Sequence, residues 1–311
     1  MVLNSLYIII GIVLVLWGAD RLTEGASSLA RRMSVPEIVI GLTIVAAGTS
    51  APELFVSMVS ALKDTPDMAV GNVVGSNIFN TLLIVGCSAM VAPMVIAKST
   101  VRKDIPFAVA ASVLLIVILS GNEISRMDGL LLLAGFAAFM IYTFRVTMKA
   151  GERITAAAPS VSLSVWKSIL YVLGGLGGLV FGSDLFVDSA SEVARQLDIS
   201  EGVIGLTIVA GGTSMPELAT SVVAARKGRS AMAIGNVIGS NVFNILLILG
   251  VTAAISPMQI QGITAVDLTV MLASILMVWG FSYTKYTVAR WEGAVLASLF
   301  LIYMGWLLYN L

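Results

Sequence analysis

Two glutamates occupy places where a carboxylate is costly. Glu53 ends the block Gly48-Thr49-Ser50-Ala51-Pro52-Glu53, and Glu217 ends Gly212-Thr213-Ser214-Met215-Pro216-Glu217. Each block lies in an apolar run long enough to cross a bilayer, where an ionised side chain costs about 3 kcal/mol or more unless it is neutralised. Thr49, Ser50, Thr213 and Ser214 set further oxygens beside the carboxylates. Ser76 and Asn80 follow on the next apolar run, and Ser240 and Asn244 do the same in the second half. A spacing of four puts each pair on one helix face. Carboxylate, hydroxyl, amide and carbonyl oxygens in a dry setting suit a hard cation; calcium takes about six to eight of them at about 2.3–2.6 Å. The chain has no histidine, which removes the usual proton relay and the commonest transition-metal ligand. The pattern points to a cation-handling membrane transporter.

Plainer roles compete for the same residues. Ser50-x-x-Glu53 and Ser214-x-x-Glu217 match the capping box of a helix N-terminus. Capping alone leaves a buried carboxylate unexplained, because a serine suffices. The small residues of Gly71-Asn-x-x-Gly-Ser76 and its copy also permit close helix packing. Asn72, Asn77, Asn236 and Asn241 are either ligands or hydrogen-bonding groups between helices. Asp20 and Asp184 fall near span ends, where they pair with nearby bases or face water. The tryptophans and tyrosines read as interfacial anchors or packing, and the methionines as packing.

The elements that must hold these oxygens are membrane helices. Of the 311 residues 58% are hydrophobic and 12% charged, with mean hydropathy +0.98; soluble domains carry about 25% charged residues. The sequence predicts an all-α polytopic membrane protein of ten spans, at roughly 5–22, 38–62, 68–93, 104–121, 128–146, 166–187, 202–226, 230–255, 264–283 and 289–309. The first of them lacks the basic start and cleavage site of a removable signal peptide. Lone Cys87 makes no internal disulfide. The Lys and Arg residues gather in the odd-to-even connections, and the even-to-odd ones hold only Lys63, Arg126 and Arg195. Basic loops face the cytoplasm, so both termini are expected outside, in a cell (inner or plasma) membrane.

Residues 16–86 align without a gap on 180–250, with 39 of the 71 positions identical. Five spans separate the copies, an odd number, so the second is expected inverted relative to the first, the design of many secondary transporters. The expected organisation is a first five-helix repeat over 1–146 with its motif at 41–86, a short cytoplasmic linker over 147–165, and a second repeat over 166–311 with its motif at 205–250. Pro52 and its copy remove a backbone donor and disfavour a continuous helix. Spans 2 and 7 are therefore expected to break and to meet at the midplane. The glycines of spans 1 and 6 point to those spans as the sliding elements, although the same residues would also permit close packing.

The paired Gly-Thr-Ser-x-Pro-Glu and Gly-Asn-x-x-Gly-Ser-Asn blocks resemble the two alpha repeats of the sodium/calcium exchanger family, within the cation/calcium antiporter superfamily, and the short central loop is similar to its compact prokaryotic members. The resemblance implies exchange of sodium for calcium, no cofactor and no enzymatic reaction. It implies a metal site of Glu53 and Glu217, of the hydroxyl and backbone oxygens of Thr49, Ser50, Thr213 and Ser214, of the carbonyls of Ala46 and Ala210, and of Ser76, Ser240, Asn80 and Asn244. Its partners are then the inorganic cations and the lipid bilayer, with no nucleic acid and no obligate protein partner. Several relatives, and the potassium-dependent branch, carry aspartate where this chain has Asn244. With two carboxylates the site charge is about −2, so one calcium balances it and three sodium ions leave a surplus; exchange is expected to be electrogenic and independent of potassium.

Two other readings stand beside this one. A cation/proton antiporter would protonate Glu53 and Glu217 in place of binding sodium, although the neutral oxygens outnumber what a proton needs. An intramembrane hydrolase would use the two carboxylates as an acid pair, but the chain lacks the Gly-x-Gly-Asp motif of such proteases, and the symmetry of the blocks argues against unequal acid and base roles.

Overall fold

The computed structural model describes residues 2–33, 35–154, 163–197, 208 and 210–309. Its helices run in the same order twice. In the first half these are α1 (Val2–Arg32), α2 (Glu37–Thr49), α3 (Ala51–Leu62), α4 (Pro66–Val91), α5 (Ile105–Leu119) and α6 (Arg126–Ile154). The second half repeats them as α7 (Val165–Gln196), α8 (Ala210–Thr213), α9 (Met215–Arg226), α10 (Ser230–Ile255), α11 (Ala265–Tyr283) and α12 (Arg290–Tyr309). Among the described residues seven helices are long and apolar enough to cross a membrane, or eight when α2 and α3 count as one broken span. Residues 202–207, where span 7 is expected to begin, and 155–162 of the expected linker lie outside the described residues.

Local chemistry explains where helices start. Thr264 and Asp267 form a reciprocal capping box at α11, with the Asp267 N–H donating to Thr264 Oγ1 at 3.3 Å and the Thr264 N–H to Asp267 Oδ2 at 2.9 Å. Ser125 and Asp128 repeat that exchange at α6. Composition ends span 1 at residue 22 and span 6 at 187, but α1 continues to Arg32 and α7 to Gln196. The polar residues past the apolar block do not stop α1, because Arg21 pairs with Glu24 one turn on, while Thr23, Ser27 and Ser28 are buried against the rest of the molecule. Likewise α6 runs through Ile154, into the segment read as linker.

The core is built on α4 and α10, with 72% and 78% of their most apolar windows buried, against 22% for α1 and 33% for α7. Outward-facing Phe144, Leu170 and Ile302 present the apolar surface that lipid requires. Helices α1 and α7 pack along each other at backbone contact: a Cβ on Gly18 would meet the Gly175 carbonyl at 2.6 Å, and one on Gly175 would meet the Leu22 nitrogen at 2.6 Å. Two short antiparallel strand pairs tie the connections together. Strand β1 (Met94–Val95) pairs with β4 (Thr287–Val288), and β2 (Glu123–Ile124) with β3 (Met258–Gln259).

Helix α1 also packs against α9. At its C-terminal side the Lys227 ammonium lies 2.6 Å from Asp20 Oδ1, and Arg229 donates to the Thr23 carbonyl at 2.6 Å. The corresponding faces of α7 and α3 are parted by a cavity of about 480 Å³ that holds Asp184 and Asp188. Two equivalent helix pairs therefore adopt different spacings, one closed and one open.

Candidate cation site

Glu53 and Glu217 sit in the first turns of α3 and α9, each 1% exposed. The breaks that place them fall at Ser50 and Ser214, with φ/ψ of −85°/9° and −91°/6°. Pro52 and Pro216 cannot return the hydrogen bond that the preceding turn would need, and α2 bends from α3 by 46°.

Neither serine caps its own helix: both sit at N-cap positions without a side-chain capping bond. This corrects the capping-box reading. Ser50 Oγ instead donates to Glu217 Oε1 at 2.9 Å, and Ser214 Oγ lies 3.1 Å from Glu53 Oε1. Each block thus reaches the carboxylate of the other, so the two glutamates share one centre. Ser214 Oγ also lies 3.2 Å from Ser76 Oγ, so its single proton is shared between the Glu53 carboxylate and Ser76.

The asparagines divide into two sets. Asn72 donates to the Glu53 carbonyl at 3.1 Å and to Ser57 Oγ at 2.9 Å, and Asn236 donates to the Glu217 carbonyl at 3.4 Å and to Ser221 Oγ at 2.9 Å. Thr49 Oγ1 closes on Asn236 Oδ1 at 3.2 Å and on the Val45 carbonyl at 3.0 Å. These groups brace the broken helices. Ser57 and Ser221 are braces that sequence reasoning missed, although both recur in the repeat. The second set crosses between halves: Asn80 donates to Asn241 Oδ1 at 3.0 Å and Asn244 to Asn77 Oδ1 at 3.1 Å. Asn80 and Asn244 lie in π-helical stretches, Phe79–Ile84 and Phe243–Ile248, a wide-turn form that recurs at functional sites.

Five buried oxygens of this centre have no protein partner: Glu53 Oε2, Glu217 Oε2, Asn80 Oδ1, Asn244 Oδ1 and Ser240 Oγ. Acceptor atoms left unpaired in a dry interior are costly, and among the described residues no lysine or arginine reaches either glutamate. The donor set is all oxygen and carries two carboxylates, which suits sodium or calcium. Of the remaining expected residues, the Ala46 carbonyl accepts the Ser50 N–H at 2.9 Å and lies 3.4 Å from Thr49 Oγ1, Thr213 lines the cavity between α3 and α7, and Ala210 opens α8. A second cavity of about 450 Å³, bordered by α4, α8 and α12, reaches Ser76 and Asn72.

Comparison with known proteins agrees with this chemistry. Residues 3–145 and 167–309 each match the sodium/calcium exchanger protein family. The sodium/calcium exchanger MaX1 of Methanosarcina acetivorans is 31% identical over 98% of this chain and 99% of its own length. The inner membrane protein YrbG of Escherichia coli (strain K12) is 33% identical over 99% of this chain and 97% of its length. The solved structure of the sodium-calcium exchanger NCX_Mj soaked with zero Na+ and Ca2+ superposes with a TM-score of 0.84 at 31% identity, covering 98% of this chain and 99% of that one. With the family matching both halves around a cation-ready centre, the chain belongs to the sodium/calcium exchanger family, a membrane transporter and not an enzyme.

Proposed function

We propose that this protein exchanges sodium for calcium by alternating access, with both ions bound at the centre between Glu53 and Glu217. The single observation that carries the reading is the crossed pairing of Ser50 with Glu217 and of Ser214 with Glu53, which leaves five buried oxygens for cations. The ion ligands are Glu53, Glu217, Ser76, Ser240, Asn80, Asn244 and the Thr49, Ser50, Thr213, Ser214, Ala46 and Ala210 oxygens. With two carboxylates, exchange of three sodium ions for one calcium is electrogenic and needs no potassium.

In this reading the chain crosses the bilayer ten times as two inverted five-helix repeats, 1–146 and 166–311, joined by a cytoplasmic segment over 147–165, with both termini on the extracytoplasmic side of a cell membrane. The strand pairs support it, because each joins two connections assigned to the same side: β1 with β4 on the cytoplasmic side, β2 with β3 opposite. Both cavities then open outward, and the Asp20–Lys227 pair closes the cytoplasmic side. The state described is the outward-facing one, and the paired helices α1 and α7 move together against the rest.

The test is calcium flux in proteoliposomes under imposed sodium, proton and potassium gradients. An inward sodium gradient should drive calcium out, without potassium, and make net current. Glu53→Gln and Glu217→Gln should each abolish it. Calcium efflux driven by external acid without sodium supports proton exchange instead, and undiminished flux in both variants overturns the site.

A further inference from the structure

An asparagine presents a cation with either a ligand or a repellent, depending on which end of its amide faces inward. The two ends have nearly the same shape, so the surrounding hydrogen bonds decide. At this centre one main-chain group starts a chain of forced choices. The Asn241 carbonyl can only accept, and Asn77 Nδ2 donates to it at 3.4 Å. The other end of Asn77 is then its oxygen, and Asn244 can meet that oxygen only with Nδ2, as it does at 3.1 Å. Asn244 Oδ1 is thereby the end left over, buried and without a protein partner. In the other half Asn80 Nδ2 donates to Asn241 Oδ1 at 3.0 Å, and Asn80 Oδ1 is left in the same condition. All four side chains are buried, so water does not compete for these bonds.

We propose that Asn77 and Asn241 are positioning residues that hold Asn244 and Asn80 with their amide oxygens toward the transported cations. This rests on the cation-site reading above. Each acts on an asparagine in the opposite half, so neither half of the chain can orient its own amide ligand. An aspartate at 244 would offer two equivalent oxygens and need no such hold. The asparagine here makes Asn77 a requirement.

The experiment is calcium uptake by sodium-loaded proteoliposomes, titrated in external calcium, for Asn77→Ala, Asn244→Ala and the double variant. Asn77→Ala should raise the apparent KM for calcium about fivefold, the loss expected when one hydrogen bond no longer fixes a ligand. That loss should fall on KM more than on the maximal rate. In the Asn244→Ala background the same change should raise KM less than about twofold, because Asn77 acts through Asn244. Costs that multiply in the double variant, or an Asn77→Ala protein with unchanged KM, overturn the inference. Asn241→Ala against Asn80→Ala runs the equivalent cycle in the other half, should Asn77→Ala fail to assemble. Glu53→Gln separates the two levels: if it leaves uptake unchanged the cation site itself is wrong, whereas its loss beside a silent or multiplicative Asn77→Ala refutes only the amide orientation.

Discussion

The serines of the two blocks carry an energetic role in the absence of ions. Ser50 and Ser214 each donate to a buried carboxylate, and a hydrogen bond to a charged group contributes about 1.5–3 kcal/mol. Ser50→Ala and Ser214→Ala should therefore lower the melting temperature of ion-free protein in detergent, and, because each serine is also placed among the ion ligands, added calcium should raise it less than in wild type. An unchanged melting temperature without ions would mean that the bonds do not serve the empty site. The residue types at this centre were legible in the sequence because they occur twice in register. Which serine meets which glutamate was not. Local spacing favours the i to i+3 cap, and only the facing of the two halves makes the crossed bond available. The roles of Asn77 and Asn241 stayed open for the same reason, since an amide three residues from another ligand looks alike whether it binds an ion or a neighbour.

At the scale of elements, the broken span followed from Pro52, and the 46° bend between α2 and α3 is its outcome. The π-helical stretches around Asn80 and Asn244 carry no residue signature. Hydropathy also closed spans 1 and 6 too early, because their polar ends are buried or ion-paired and so stay helical. Gly18 and Gly175 are spent on contact between α1 and α7, which resolves their role in this state toward close packing. A methyl group at 175 would have to displace the Leu22 backbone, and forced shifts of this kind cost about 1–3 kcal/mol. Gly175→Ala should lower thermal stability accordingly and slow exchange, whereas Gly177→Ala, where an added Cβ meets open space, should leave both near wild type. Equal effects of the two variants on melting temperature would show that the backbone contact is unimportant.

For the whole molecule, the proposed alternating access between two inverted halves makes the present structure a guide to its opposite state. Residues 20 and 227 correspond to 184 and 63 by the offset of 164 that aligns the halves. Here Asp20 holds Lys227 at 2.6 Å, while among the described residues Asp184 and Lys63 form no ion pair and Asp184 lines the open cavity. If the halves exchange conformations, α7 closes on α3, Asp184 approaches Lys63, and the Asp20–Lys227 pair parts. The ion pair is partly exposed, 29% and 37% at its side chains, so it contributes about 1 kcal/mol or less. It biases the two states about fivefold at most and does not lock them. The halves are unequal in one respect: Arg229, which adds a bond to the Thr23 carbonyl, corresponds to Thr65, so the closed side seen here has the stronger latch. Cysteine pairs at 20 and 227, and at 63 and 184, in a Cys87→Ser background should report the exchange through a short bis-thiol cross-linker. The 20/227 pair should link readily in the state described, and the 63/184 pair should gain linkage only when ion gradients favour the cytoplasm-open state, at the expense of the first. Linkage at both pairs that does not respond to sodium or calcium would refute the symmetric exchange.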